Sequence, residues 1–104
     1  MLSDIERIKD IFYKNTPLAY IEEDTGVENT FFIEADEKEQ PTMNFISRTF
    51  NIVINITEKE KFNLIINNNF LKEFLKAGIN LKSTNFYDSN KYGELELSTF
   101  RKFE

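Results

Sequence analysis

The chain has 104 residues, which is enough for one domain with one hydrophobic core. Hydrophobic residues make up 40% of it, and 11 Phe and 4 Tyr supply most of the bulky side chains available for burial. The sequence has no Cys and no His, which excludes disulfides, thiolate and imidazole metal sites, cysteine nucleophiles and the usual general base near neutral pH. We therefore expect a single folded domain over residues 1–104 that is not an enzyme and needs no cofactor or metal.

The net charge of −5 is unevenly distributed along the chain. Residues 22–39 hold eight acidic side chains and one lysine, a net charge of −7, which leaves +2 on the rest. Binding to nucleic-acid phosphates needs a basic face, and the sequence indicates none, so no sequence-specific nucleic-acid partner is expected. An acidic stretch suits a basic protein partner, a DNA-mimicking inhibitor, or a channel wall along which DNA slides without sticking.

The first predicted element is an amphipathic helix. Apolar residues from Leu2 to Phe12 recur on one face, and Ser3 with Glu6 has the spacing of a capping box. Residues 15–17 (Asn-Thr-Pro) are expected to end the helix. The start of the chain lacks the pattern of a signal peptide, and no apolar stretch is long enough to cross a bilayer. We expect no membrane partner, and assembly in the bacterial cytoplasm.

Two short strands and a charged loop are predicted next. Residues 18–23 and 30–34 have strand composition, and residues 36–41 are expected to form an exposed loop. Phe31 and Phe32 are adjacent in the second strand, so their side chains must point to opposite sides of the sheet. One Phe then enters the core. The other either meets a second buried layer or anchors a subunit contact.

Residues 44–57 form the clearest predicted strand. Its even-numbered positions from Ile46 to Ile56 are apolar except for Arg48, and most of its odd-numbered positions are amides or hydroxyls. This alternation predicts a central strand with its apolar face covered by helices.

Residues 58–77 allow two interpretations. Apolar residues recur there at helical intervals and Gly78 suits the position after a helix end, which favours one helix over 58–77. The Asn-Asn-Asn run at 67–69 is poor helix material, so the alternative is a strand over 62–67 followed by a short helix over 70–77 that Asn69 caps.

A hairpin is predicted to close the chain, with strands over 80–87 and 93–103 joined by a turn at 88–91. The turn begins like a calcium loop, but Tyr92 and Thr99 occupy the fifth and twelfth positions, where that loop needs its ligands. A plain hairpin turn is therefore expected. The element order is α-β-β-β-α-β-β, which predicts an α+β fold with a mixed, mostly antiparallel sheet of about five strands packed by two helices.

The order of these motifs resembles the phage tail terminator family, in the version found in low-GC prophages and phage-tail-like bacteriocins. The resemblance runs from the opening helix through an aromatic-x-Glu-Glu strand and the Phe-Phe-Ile strand to the closing helix and hairpin. The motifs are Tyr20-Ile21-Glu22-Glu23, Gly26, Phe31-Phe32-Ile33, and Arg48-Thr49-Phe50-Asn51-Ile52, which is similar to the family's Arg-x-x-x-Phe-x-Ile strand shifted by one residue.

The resemblance implies a structural protein of a phage tail or tail-like particle. Tail terminators form closed rings, typically hexameric, that cap the tail tube, end its polymerisation and connect to the neck or sheath. The implied partners are further copies of the chain, the tail tube protein, and a neck or sheath protein. The residues expected to contact another subunit, the tube or the lumen are Phe31, Phe32, Asp36, Glu37, Lys38, Glu39 and Gln40.

The acidic segment and small size support an alternative function. In that interpretation the chain is a small acidic binding module, such as a DNA-mimic inhibitor or an immunity protein that neutralises a basic toxin.

Overall fold

The computed structural model describes the backbone of residues 3–40 and 45–102, and the side chains of those residues except 38–40, 45, 101 and 102. In chain order the elements are helix α1 (Asp4–Asn15), strands β1 (Ala19–Tyr20), β2 (Thr30–Gln40) and β3 (Phe45–Asn55), helices α2 (Lys59–Ile65) and α3 (Asn68–Lys76), and strands β4 (Asn80–Tyr87) and β5 (Tyr92–Lys102). The predicted α+β class and element order are confirmed, with the second helix divided in two.

The described strands form one mixed sheet in the order β1-β2-β3-β5-β4. β1 runs parallel to β2, and the β2–β3, β3–β5 and β5–β4 pairs are antiparallel. β3 lies in the middle, as its alternating pattern predicts. The closing hairpin is also confirmed, because β4 and β5 pair from Tyr87 and Tyr92 outward. None of the helices in the described part of the chain is both long and apolar enough to span a membrane.

The helices pack on one face of this sheet, where most of the aromatic core lies. The ring of Phe12 in α1 stacks on Phe31 in β2, with centroids 4.1 Å apart and an angle of 13° between the rings. Phe70 and Phe74 of α3 lie with their centroids 5.0 and 5.9 Å from that of Phe12. Phe12, Phe31 and Phe74 are fully buried, each contributing about 1.5–3 kcal/mol through removal of its side chain from water. Phe31 is thus the member of the Phe31-Phe32 pair that enters the core.

The bounds of α1 agree with the capping signals in the sequence. The Ser3 hydroxyl accepts a hydrogen bond from the backbone N–H of Glu6 at 3.2 Å. At the other end the Thr16 hydroxyl donates to the carbonyl of Phe12 at 2.8 Å, and the chain leaves the helix before Pro17.

Residues 58–77 form two helices, so the single helix is wrong. The alternative is right to place a separate short helix after the break and wrong in its strand over 62–67 and in its cap at Asn69. α2 ends at Ile65, and Ile66 leaves the helical region with φ −92° and ψ 68°. The side-chain oxygen of Asn67 then accepts a hydrogen bond from the backbone N–H of Phe70 at 3.0 Å and caps α3. Asn is a favoured residue at this position because its side chain satisfies a backbone donor in the first turn.

The first two strands also differ from their predicted bounds. β1 contains only Ala19 and Tyr20, whereas a strand over 18–23 was expected. The predicted loop over 36–41 is wrong at residues 36–40, which continue β2 and pair with residues 45–49 of β3. Position 41 lies outside the described residues. Pairing with β3 satisfies the backbone groups on one side of this charged stretch, and the side chains of Asp36 and Glu37 are exposed, as is common on edge strands.

Candidate functional site

The sheet face opposite the helices is covered by no element in the described part of the chain, and we call it the open face. It carries the positions that alternate with the core positions along β2, β3 and β5. These residues are Phe32, Glu34 and Asp36 in β2, Thr49, Asn51, Val53 and Asn55 in β3, and Tyr92, Glu94, Glu96 and Ser98 in β5.

The charged side chains that the structure describes on the strands of the open face are acidic. Glu34 lies opposite Asn51, and Asn51 lies opposite Glu96, so an amide separates two carboxylates across three strands. The Asn51 Nδ2 donates to Glu94 Oε1 at 3.4 Å. Within the described side chains, none of Glu34, Asp36, Glu94 and Glu96 forms an ion pair. This surface therefore attracts cationic groups and repels phosphates.

A trough of about 580 Å³ lies at one end of the open face, between the loop after β1 and the turn before β5. Asn55 forms part of its wall and donates from Nδ2 to Asp24 Oδ1 at 3.1 Å and to Thr30 Oγ1 at 3.0 Å. The Asp24 carboxylate thus fastens its loop to the sheet. No group of three or more acidic residues in the described part of the chain has an arrangement that could hold a metal ion.

Tyr87 and Glu94 form a hydrogen-bonded pair on the β4 side of the open face. The Tyr87 hydroxyl donates to Glu94 Oε2 at 3.1 Å. This hydrogen bond, together with the negative charge of Glu94, raises the pKa of Tyr87 above its ordinary value of 10.0. Tyr87 is therefore a neutral donor near neutral pH and does not act as a base or a nucleophile there.

The predicted contact residues whose side chains the structure describes, Phe31, Phe32, Asp36 and Glu37, do not form one surface. Phe31 is fully buried in the core, so its side chain does not lie on the surface that a partner would contact. Phe32 is partly exposed and Asp36 is exposed, and both lie on the open face with Glu34 between them. Glu37 points to the helix side, where its Oε1 accepts from Arg48 Nε at 2.6 Å. Residues 38–40 continue the backbone of β2, and the side chains of Lys38, Glu39 and Gln40 lie outside the described ones.

Arg48, the one charged residue in the apolar stripe of β3, belongs to an ionic cluster that sequence reasoning missed. Its Nη1 lies 3.6 Å from Oδ2 of Asp4, which is buried in the first turn of α1. The same carboxylate accepts from Thr99 Oγ1 at 3.1 Å and pairs with Arg7 at 3.3 Å. This cluster fastens α1 to the sheet. Its only signal in the sequence is the interruption of an apolar pattern by Arg48.

The sheet has two outer edges that no described strand covers. β1 pairs with β2 at Thr30 and Phe31 alone, so the outer edge of β2 is free from Phe32 to Gln40. On the opposite side of the sheet, the outer edge of β4 is free along its length. Free edges present backbone N–H and C=O groups that a strand of another chain can pair with.

Comparison of the chain with protein-family models, with curated proteins and with solved structures finds no match. Two free edges and an acidic open face are features of recognition and assembly, since they offer backbone pairing and charge complementarity.

Proposed function

We propose that this protein is a structural tail terminator of a phage or phage-tail-like particle. In this function its copies form a closed ring, hexameric as in the family it resembles, that caps the tail tube, ends tube polymerisation and connects to the neck or sheath. The observation that carries the proposal is the pair of free sheet edges, β2 and β4, on opposite sides of the molecule. A closed ring needs two different surfaces on each subunit, one for each neighbour.

The open face supports the same proposal. Its carboxylates Glu34, Asp36, Glu94 and Glu96 lie on the side away from the helices and form no ion pairs among the described side chains. We assign this face to the lumen of the ring. A lumen wall of this charge repels phosphates, so DNA passes along it without binding.

The proposal is tested by mixing the purified protein with tail tubes of the matching particle and imaging the tubes by electron microscopy. We expect added density at one end of each tube and no further growth from that end. A folded acidic protein of similar size serves as the control. Tubes that keep bare ends and continue to grow in the presence of the protein would contradict the proposal.

The acidity of the open face also favours a second candidate function, a small acidic binding module such as a DNA-mimic inhibitor or an immunity protein. That function predicts a one-to-one complex with a basic enzyme, weakened strongly by salt. The substitution pair Glu34→Lys and Glu96→Lys should abolish such a complex. The two functions differ in stoichiometry, because a capped tube end carries several copies of the chain.

A further inference from the structure

The trough at the end of the open face has an apolar floor and an aromatic wall. Val53 lines it and is 9% exposed, and Tyr92 lines it and is partly exposed. The ring of Tyr92 packs against that of Tyr87, with centroids 5.0 Å apart and an angle of 34° between the rings. The trough therefore offers apolar contact area together with a few polar groups, which is a combination typical of binding pockets.

The charged groups of the trough favour a cationic ligand. Its lining contains the carboxylates of Asp24, Glu34 and Glu94 and the ammonium of Lys91, a net charge of −2. None of the three carboxylates forms an ion pair with a described side chain, and Lys91 is exposed in the turn that precedes β5. A cation bound among these carboxylates neutralises charge that the chain itself leaves uncompensated.

Glu94 is held in a fixed position by two neutral donors. Its Oε1 accepts from Asn51 Nδ2 at 3.4 Å, and its Oε2 accepts from the Tyr87 hydroxyl at 3.1 Å. Because both donors are neutral, they orient the carboxylate without cancelling its charge. A carboxylate can accept about four hydrogen bonds, so Glu94 retains capacity for a charged donor in the trough.

Asn55 supplies an acceptor that the chain itself does not use. This residue lines the trough and is only 7% exposed. Its Nδ2 donates to Asp24 and Thr30, whereas no residue that the structure describes donates a hydrogen bond to its Oδ1. Nearly buried polar side chains normally have their hydrogen bonds satisfied. This oxygen is therefore an indication, independent of the carboxylates, that a molecule with N–H donors binds in the trough.

An arginine side chain matches this set of groups. A guanidinium has five N–H donors and no acceptor, so it can bind carboxylates and an amide oxygen at the same time. It is planar and stacks on aromatic rings such as that of Tyr92, and its aliphatic stem can pack on Val53. A lysine ammonium carries its donors on a single nitrogen and does not stack in this way.

We infer that the trough binds an arginine side chain presented by a partner protein. In this complex Glu34 and Glu94 pair with the guanidinium, and Tyr92 lies against its plane. The Oδ1 atom of Asn55 accepts one of its N–H groups. The inference goes beyond the proposed ring, because the trough is lined by residues of a single copy of the chain.

The site is tested with a blocked glycine-arginine-glycine peptide, titrated into isotope-labelled protein and followed by NMR. We expect saturable shifts of the backbone signals of residues 51–55 and 92–94 and of the side-chain amide of Asn55. In the two matched peptides, citrulline, which is a neutral isostere of arginine, or lysine takes the central position. Citrulline should cause no saturable shift, and lysine should bind about tenfold more weakly than arginine. Equal binding of either matched peptide, or no saturable shift with the arginine peptide, would overturn the inference.

Substitution of the carboxylates locates the site. Glu94→Gln removes the charge and keeps a side chain that can accept from the same donors, and we expect it to weaken binding of the arginine peptide by about tenfold. Glu34→Gln should act in the same direction. The control is Glu96→Gln, on the same face but outside the trough, which should change the affinity by less than about twofold. Equal effects at positions 94 and 96 would show that arginine responds only to the general charge of the open face, and the inference would then be wrong.

The aromatic contact is tested separately. Tyr92→Leu removes the ring but keeps an apolar side chain, and it should weaken binding of the arginine peptide by about fivefold. Tyr92→Phe keeps the ring and should bind as the wild type does, with circular dichroism confirming that each variant is folded. Unchanged affinity in Tyr92→Leu would refute the stacked arrangement. All of these measurements use the isolated protein, so their failure leaves the proposed tail-terminator function standing, and failure of tube capping leaves the arginine site standing.

Discussion

The ring of Phe62 in α2 lies directly against the backbone of Gly93 in β5. A Cβ atom at position 93 would be 2.6 Å from Cδ2 and 2.8 Å from Cζ of Phe62, which is only 2% exposed. Gly93 pairs with Ile54 on one side and with Phe86 on the other, so its strand has little freedom to move away. The absence of a side chain at Gly93 is therefore what allows α2 to pack on the sheet.

We expect Gly93→Ala to lower the free energy of unfolding by about 1–3 kcal/mol, the usual range for overpacking a core. Urea unfolding of the wild type and the variant measures this difference. The control is the same substitution in a Phe62→Ala background, where the ring that opposes the new methyl group is gone and the added cost should be small. An equal loss in both backgrounds would show that contact with Phe62 is not the cause.

The break between α2 and α3 gives the second prediction. Asn67→Ala removes the side-chain oxygen that caps α3 at 3.0 Å from the Phe70 nitrogen, and we expect a loss of about 1 kcal/mol in the free energy of unfolding. The matched control is Asn69→Ala, which removes an exposed Asn from the first turn of the same helix. Urea unfolding compares the two variants. A loss at position 69 as large as the loss at position 67 would contradict the capping role.

This break also shows where prediction from the sequence fails. Phe62, Phe70 and Phe74 fall at helical intervals across the break because both helices pack on the same face of the sheet. Hydrophobic spacing shows which face of a segment is buried, but it does not show whether one helix runs unbroken through the segment. The Asn run contained the stop signal, but composition alone did not identify Asn67 as the capping residue.

The length of β2 could not be predicted from its own residues, because it is set by pairing with β3. Its acidic second half has the composition of a loop, yet it pairs residue by residue with β3. The alternating pattern of β3 predicted this strand correctly, because one face of β3 packs against the core along its length and the other face does not. The open face follows from that alternation. The free edges follow from pairing partners, which local sequence does not reveal.

The ionic cluster around Asp4 gives the third prediction. Asp4→Asn leaves Arg7 and Arg48 without their buried carboxylate, and we expect the free energy of unfolding to fall by about 1–3 kcal/mol. Solvent limits the effect, since the two arginine side chains are 36% and 31% exposed. The control is Asp10→Asn, which removes an exposed pair with Lys14 on the same helix and should cost less than about 1 kcal/mol. Urea unfolding at low and high salt measures both, and equal effects would contradict the assigned role.

The Tyr87–Glu94 pair gives a pH-dependent prediction. Because the hydrogen bond to Glu94 and its charge raise the pKa of Tyr87 in the folded protein, the unfolded chain ionises first as the pH passes 10.0. The contribution of this pair to stability is therefore complete below pH 10.0 and is lost as the pH rises through the folded pKa. Glu94→Gln should move the pKa of Tyr87 back towards 10.0, whereas Glu96→Gln, on the same face, should leave it unchanged. Absorbance titration of the four tyrosines, with Tyr87→Phe identifying the signal of Tyr87, measures the shift. An unchanged midpoint for Tyr87 in the Glu94→Gln variant would show that this contact does not control its ionisation.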